Sequence, residues 1–240
     1  EVTFKEVCYM HDIKTTFDQG ILSEVRRLET DITFDKYPNR RFLSDEYIVT
    51  IDDFDAEELD DGLSIQQLEN GYYRLGIHIA DPTGLLSENS IILEEAFKRT
   101  TSIYLNNQTI YMFPEVLAKD KLNLLEGQPR LATSYYLYVN AEGRIESYEF
   151  LETIIKVHNI TYTQADAILK TGNCNNKQLL DTLVMLSMIT SKLGNNFRVD
   201  PVYQAVNRHK SNPSKTNIIS STNASKIVET CMMMANYIVP

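Results

Sequence analysis

Cysteine is scarce in this chain, and tryptophan is absent. The three cysteines are Cys8, Cys174 and Cys231, an odd number with no CxxC spacing. This usage argues against a disulfide framework and gives no zinc signature. A reducing compartment fits best, and we expect a cytoplasmic protein, or an organellar one where a targeting segment lies outside this chain.

Long apolar runs and a surplus of basic residues are also missing. No run of about 18 apolar residues and no signal peptide is present, so the sequence predicts no membrane partner. The net charge is −10 and the pI is near 4.9, which ordinarily argues against nucleic acid because phosphates are bound by clustered Lys and Arg. That argument is not decisive here. Much of the negative charge falls in residues 52–61, where a cation would neutralise it, and basic flanking domains would offset the rest.

The composition that is present is that of an ordinary globular domain. With 43% hydrophobic and 23% charged residues, a chain of 240 residues can bury a sizeable core. We expect one domain at residues 41–240, preceded by a leading segment at residues 1–40. The first residue is Glu1, and Pro240 follows an apolar helical stretch, so we interpret the chain as a segment of a longer protein.

The leading segment contains one clear helical pattern. Residues 15–29 place apolar side chains at helical spacing, and we expect a packing helix with these residues on its buried stripe: Phe17, Ile21, Val25 and Leu28.

The rest of the chain has strands first and helices later. Alternating apolar residues and turn signals predict strands near 47–51, 62–67, 72–80, 134–140 and 144–150. A helix is expected near 88–98, and helices dominate from residue 163, at 176–194 and 225–239, with a polar stretch at 207–223 between them. Runs of strands followed by runs of helices indicate the α+β class.

The densest chemical feature is a cluster of acids directly after the first predicted strand. Its members are Asp52, Asp53, Asp55, Glu57, Glu58, Asp60 and Asp61. Carboxylates a few ångströms apart repel, so an ordered loop of this kind either stays solvated or binds metal. Apolar residues on both sides favour order: Val49, Ile51, Leu59, Leu63 and Ile65. Three interpretations stay open from the residues alone: a site for a cation such as Mg²⁺, a solvated turn, and a calcium loop that lacks the EF-hand pattern.

Several short motifs follow one another in a fixed order. The acids form Thr-Ile-Asp ending at Asp52, then Glu58, one spacer and the pair Asp60 and Asp61. Five further motifs follow: a strand-like run ending in Ile-Ala-Asp-Pro at 73–82, Arg-x-x-Ser-x-Tyr-Leu at 99–105, Ile-Tyr-Met-Phe-Pro at 110–114, a Tyr-containing segment at 154–162, and a Val-Glu-x-x-Met-x-x-Ala-Asn helix within 224–236. On these motifs, about residues 41–240 resemble the N-terminal part of the RNB catalytic domain of the ribonuclease II and ribonuclease R family. The family signature has four aspartates, whereas this chain has three and Glu58.

The resemblance implies a fold and a reaction. The implied fold is an RNB-type domain with a largely antiparallel sheet and packed helices. The implied reaction is Mg²⁺-dependent hydrolysis, with Mn²⁺ as a substitute, that degrades single-stranded RNA from its 3′ end to nucleoside monophosphates. The implied metal ligands are Asp52, Glu58 and Asp61, and Asp60 is the implied catalytic carboxylate. Because the family's catalytic arginine lies in the other half of the domain, we expect this segment alone to be inactive.

The resemblance also implies residues that contact RNA. Tyr104 and Tyr162 match tyrosines that line the family's RNA channel, and unpaired bases stack on aromatic rings. Arg99 and Arg130 match basic positions and are expected to meet phosphates, with salt bridges as the alternative. We expect a monomer that works within a larger RNA-degradation assembly. The competing hypothesis is a catalytically lapsed RNB-like module that binds RNA for regulation.

Two polar residues at the end of the 73–82 motif are expected to be structural. His78 lies in an apolar run, where a lone histidine is more often a hydrogen-bonded core residue than a ligand. Asp81 follows that run, and we interpret it as an acid that holds the active-site loop.

Overall fold

A seven-stranded mixed sheet forms the centre of the structure, a computed structural model that describes residues 4–28, 31–33, 35–105, 108–197 and 222–238. Its strands are β1 Arg41–Phe42, β2 Ile48–Asp52, β3 Asp61–Gln67, β4 Tyr73–Ala80, β7 Arg130–Val139, β8 Ile145–Ile155 and β9 Val157–Thr161. A separate two-stranded sheet is formed by β5 Ile103–Leu105 and β6 Gln108–Ile110.

The main sheet is largely antiparallel. Its spatial order is β1–β8–β7–β4–β3–β2–β9. The inner pairs are antiparallel, and the two outermost pairs, β1 with β8 and β2 with β9, are parallel. The α+β class and the largely antiparallel sheet are therefore confirmed.

Helices dominate after the last strand, as the sequence pattern predicted, and shorter helices precede or interrupt the strands. They are α1 Phe4–Met10, α2 Gln19–Val25, α3 Pro82–Leu85, α4 Ile91–Arg99, a π-helical turn at Leu117–Lys121, α5 Tyr162–Thr171, α6 Lys177–Phe197 and α7 Asn223–Ile238. None of these described helices is both long and apolar enough to cross a membrane.

Helices α5, α6 and α7 cover one face of the sheet. Their amphipathic pattern buries one stripe of each helix, which in α6 includes Leu183, Leu186, Ile189 and Leu193. This stripe belongs to one core cluster with buried sheet residues such as Leu63, Ile77 and Leu137. The opposite face carries a second, smaller cluster, with members that include Leu43, Ile48, Leu124, Tyr136 and Ile155.

The leading segment packs onto the domain through the predicted apolar stripe. Helix α2 is shorter than the predicted helix, ending at Val25. All four stripe residues nevertheless belong to, or pack against, one cluster that also contains residues of α4 and the π-helical turn. The predicted packing helix, with this apolar stripe buried or partly buried, is confirmed.

Predicted and observed elements agree best where the pattern is long. The five predicted strands correspond to β2, β3, β4, β7 and β8, and the predicted helices to α4, α6 and α7. The β7–β8 turn closes as predicted, because the Gly143 N–H donates to the Asn140 carbonyl at 3.0 Å. Strands β1, β5, β6 and β9 were not predicted; β1, β5 and β6 have only two or three residues each, and β9 directly follows the long strand β8. Residues 207–221 of the predicted polar stretch lie outside the described residues.

Both polar residues expected to be structural are part of the interior. His78 is fully buried, and its ring nitrogens lie 2.9 Å from Ser64 Oγ and 2.7 Å from Ser134 Oγ. Asp81 caps α3 and forms a buried ion pair with Arg40. The interpretation of His78 as a satisfied core residue is confirmed.

Candidate active site

The acidic cluster lies at one end of the central strands. Asp52 is the last residue of β2 and Asp61 is the first residue of β3. These strands are antiparallel neighbours, with Val49 opposite Leu63, so the end of one lies beside the start of the other. The connection between them, residues 53–60, is called the acid loop below.

Three carboxylates of this cluster are desolvated and repel one another. Partial burial, with the neighbouring Asp53 as a smaller cause, raises the pKa of Asp52 to about 6. Asp60 keeps an exposed surface, but the surrounding protein desolvates its carboxylate and, with Glu58 and Asp52, raises its pKa to about 6. Desolvation, followed by repulsion from Asp52 and Asp60, raises the pKa of Asp61 to about 7. A bound cation would neutralise this charge and relieve the repulsion among the three carboxylates.

One oxygen of the cluster has no partner within the protein. Asp52 Oδ2 is buried and accepts no hydrogen bond from any described residue. Burying an unpaired polar atom is costly, so this oxygen fits a role as a ligand. The donor set consists of carboxylate oxygens, which suits Mg²⁺ or Mn²⁺. Within the described ranges, no group of three or more acidic, His or Cys side chains is arranged so that it could hold a metal ion. Mg²⁺ ordinarily keeps several waters or phosphate oxygens, so a partial protein shell is compatible with it.

The four predicted acids do not share one cavity. Glu58 and Asp60 line a cavity of about 410 Å³. Asp52 lines a second cavity of about 820 Å³, and Tyr104 lines both. Asp61 is not among the residues that line either cavity, and it is linked to the group through its electrostatic coupling to Asp52 and Asp60.

Glu58 is held by neighbours outside the acid loop. Its carboxylate accepts hydrogen bonds from the hydroxyl of Tyr104 and, at 3.3 Å, from the hydroxyl of Ser102. The longer side chain that replaces aspartate here is therefore tied to the β5 region. A metal ligand role for Glu58 would require these bonds to be shared or exchanged.

Both predicted tyrosines reach the acids. Tyr104 is 62% exposed, and its hydroxyl donates to the Glu58 carboxylate. Tyr162 is the first residue of α5 and lines the cavity that holds Asp52. Partial burial, followed by the charges of Asp61 and Asp52, raises the pKa of Tyr162 to about 12.

The two predicted arginines do not reach the acids. Arg99 forms an ion pair with Glu95 at 3.0 Å, and its guanidinium lies 3.8 Å from the ring centre of Phe17. Arg130 is 5% exposed; it donates to the Asn123 carbonyl at 2.8 Å and pairs with Asp120 at 3.1 Å. Neither arginine lines the two cavities. The expectation that they meet phosphates is not supported by this geometry, because their donors face protein groups; of the two readings, the salt bridge is the one observed.

Two residues near the acids were missed from the sequence. Lys119 is the cation among the residues that line the two cavities, and its ammonium pairs with Glu57 at 2.9 Å and with Glu115 at 2.9 Å. Asn123 is buried, and its side-chain amide bonds the acid loop. Neither residue could be recognised from a sequence motif, because each lies more than 60 positions from Glu57 in the sequence.

Comparison with known proteins places this arrangement in a family. The RNB domain family model matches residues 40–240. Ribonuclease R of Thermotoga maritima is 34% identical over 157 residues, which cover 65% of this chain and 22% of that protein. The structure of Mycoplasma genitalium RNase R in complex with double-stranded RNA has a TM-score of 0.80 and 21% identity, and the match covers 97% of this chain and 43% of that chain.

A similar fold also occurs in a protein described as inactive. The structure of yeast Ssd1, a pseudonuclease, has a TM-score of 0.70 and 19% identity, over 87% of this chain and 26% of that chain. This chain spans less than half the length of each of these three proteins. The match to the family model over residues 40–240 agrees with the order of the sequence motifs, and the chain belongs to the RNB domain family.

Proposed function

We propose that the protein containing this chain is a Mg²⁺-dependent exoribonuclease that degrades single-stranded RNA from its 3′ end to nucleoside monophosphates. The observation that carries the proposal is the group of mutually repelling carboxylates at the ends of β2 and β3, with an unpartnered Asp52 oxygen and two tyrosines beside it. Membership of the RNB domain family and similarity to ribonuclease R support the 3′–5′ exoribonuclease class.

The acids have distinct proposed roles. Asp52, Glu58 and Asp61 would hold Mg²⁺ or Mn²⁺, and Asp60 would act at the cleaved phosphate. When bound, the cation would supply Lewis-acid chemistry by neutralising charge that develops on the phosphate. The protein's own contribution is to keep these carboxylates close together in a desolvated place, where their charges act strongly.

The tyrosines would hold the RNA. An aromatic ring can stack on any of the bases, and each stacking contact contributes about 1–3 kcal/mol. Tyr104 lines both cavities and Tyr162 lines the one with Asp52, so the two rings would hold nucleotides beside the acids. The scarcity of cations there suggests that stacking and the bound metal, more than lysine or arginine, would hold the strand.

The second candidate function is an RNA-binding module without catalysis. Glu58 in place of aspartate, engaged by Tyr104 and Ser102, is the observation that favours it. The similarity in fold to a pseudonuclease makes this alternative concrete. In both candidate functions RNA would bind at the same tyrosines. They differ in whether the bound RNA is cleaved with the help of Asp60.

The test uses the full-length protein and an oligoribonucleotide labelled at its 5′ end, in Mg²⁺. Stepwise shortening and release of nucleoside monophosphates would support the nuclease. Asp60→Asn should abolish cleavage and leave RNA affinity intact or higher, because it removes a transition-state carboxylate and relieves repulsion with phosphate. Glu69→Gln, an exposed carboxylate in the turn after β3, is the matched control and should cleave normally. Binding without cleavage by the unmodified protein would replace the nuclease with the lapsed module.

A further inference from the structure

The side chain of Asn123 joins two points of the acid loop. Its Oδ1 accepts a hydrogen bond from the Leu59 N–H at 2.9 Å, and its Nδ2 donates to the Glu57 carbonyl at 2.8 Å. These two backbone groups stand on either side of Glu58. One buried amide therefore brackets the residue that departs from the family's usual aspartate.

The loop is fixed at two further backbone groups. The Leu59 carbonyl accepts from the Leu124 N–H at 2.9 Å, and the Asp60 carbonyl accepts from the Ala80 N–H at 2.8 Å. The backbone from Glu57 to Asp60 is thus bonded to residues 123 and 124 and to the end of β4. An irregular segment has no ladder of its own to fix side-chain directions, so these bonds decide where its carboxylates point.

Asn123 is itself held in place by a buried cation. Its N–H donates to the Asp120 carbonyl at 3.1 Å, and its carbonyl accepts from Arg130 Nε at 2.8 Å. Arg130 also pairs with the Asp120 carboxylate. Arg130 therefore supports residue 123, and this contact gives the arginine a place in the site that does not require it to touch RNA.

We propose that Asn123 is a positioning residue that aims the acid-loop carboxylates, with Arg130 supporting it. The inference rests on the proposed nuclease function and concerns the same carboxylates. Asn123 touches neither substrate nor metal in this role. It acts through the backbone of Glu57 and Leu59, as groups beyond the direct ligands do in metal sites, where their loss typically costs about 10–100-fold in affinity or activity.

The test compares two identical substitutions in the full-length protein. Asn123→Leu keeps a similar volume and removes both hydrogen bonds to the acid loop. Asn196→Leu is the control, because the Asn196 amide also donates to two backbone carbonyls, of Glu142 and Gly143, in the turn at the opposite end of β7. The measurements are kcat and KM on single-stranded RNA, Mn²⁺ binding followed by the electron paramagnetic resonance of free Mn²⁺, and the thermal unfolding midpoint.

We expect Asn123→Leu to lower kcat and weaken Mn²⁺ binding by about 10–100-fold, with KM for RNA nearly unchanged, while Asn196→Leu lowers only the unfolding midpoint. If Asn123→Leu changes only that midpoint, the inference is overturned. If it does not fold, Asn123→Ser, which has one uncharged hydroxyl and can replace at most part of the amide's bonding, should give a smaller change in the same direction; normal kcat and Mn²⁺ binding would then overturn the inference.

The two proposals fail in different ways. If the unmodified protein binds Mn²⁺ but cleaves nothing, the nuclease proposal fails and the Mn²⁺ measurement alone decides the role of Asn123. If the unmodified protein cleaves RNA and Asn123→Leu behaves like the control, only the positioning role fails. If the unmodified protein neither binds Mn²⁺ nor cleaves, both are overturned.

Discussion

Thr161 lies opposite Asp52 in the parallel pairing of β9 with β2. The same threonine starts α5, because its hydroxyl accepts from the Gln164 N–H at 3.2 Å while the Gln164 side chain accepts from the Thr161 N–H at 2.8 Å. Such a capping box fixes where a helix begins. Tyr162, the next residue, is therefore placed by the same strand register that places Asp52, and one pairing sets both an acid and an aromatic ring of the candidate site.

The first prediction concerns that ring. In the full-length protein, Tyr162→Ala should still cleave single-stranded RNA but change the length of the final product, because a lost stacking contact of about 1–3 kcal/mol loosens the last nucleotides. Gel analysis of a labelled oligoribonucleotide measures the product. Tyr148→Ala, which removes an exposed tyrosine on β8, should leave the product length unchanged. Identical end products from Tyr162→Ala and the unmodified protein would remove Tyr162 from the RNA path.

The second prediction concerns metal and stability. Because Asp52 has a buried oxygen without a partner and repelling neighbours, Asp52→Asn should raise the unfolding midpoint in chelator. Mg²⁺ should raise the midpoint of the unmodified protein, with about 2.7 kcal/mol expected at 100 times its dissociation constant. The variant should lose most of that increase. Calorimetry with and without Mg²⁺ measures both effects, and an equal Mg²⁺ response in the two proteins would contradict a ligand role for Asp52.

The sequence predicted the elements whose pattern is long or dense. The acid cluster, with a strand on each side, indicated a loop at a sheet edge, and Asp52 and Asp61 do end and begin adjoining strands. The positions of Tyr104 and Tyr162 beside the acids came from motif order, since composition alone does not distinguish them from twelve other tyrosines among the fourteen in the chain.

The parts that were missed depend on contacts between distant residues. Asn123 is 66 positions from Glu57 in sequence, so its bond to the acid loop leaves no local pattern. Arg99 and Arg130 occupy matched motif positions, but whether a guanidinium faces solvent or a carbonyl is decided by tertiary packing. The division of the acids between two cavities has the same origin, because Tyr104 and Ser102 draw Glu58 toward β5.

The third prediction concerns acid pH. Burial, with the charge of Arg74 as a smaller cause, lowers the pKa of His78 from 6.5 to about 3. Below about pH 6.5 the histidine of the unfolded chain is protonated, whereas the buried ring of the folded chain stays neutral. The free energy of unfolding therefore falls as the pH drops from about 6.5 toward 3. At pH 5 this single group should cost about 2 kcal/mol.

Denaturant unfolding between pH 5 and 7.5 measures this cost. His78→Gln removes the titrating ring, and its unfolding free energy should depend less on pH over this range, even though the variant is less stable at pH 7.5. An equally steep pH dependence in both proteins would show that His78 is not the group responsible.

The last prediction separates structural from RNA-contacting arginines. On a single strand, each cation that contacts a phosphate contributes about 0.7 to the slope of log affinity against log salt concentration. Arg99 and Arg130 direct their donors to protein groups, so Arg99→Gln and Arg130→Gln should leave this slope unchanged for single-stranded RNA. Both should lower the unfolding midpoint, and Arg99→Gln should do so because it removes the 3.0 Å ion pair with the buried Glu95 carboxylate, which then keeps, among the described residues, only Lys14 at 3.5 Å. Fluorescence anisotropy at several salt concentrations measures the slope. A decrease of the slope by about 0.7 in either variant, with the midpoint preserved, would show that this arginine contacts RNA.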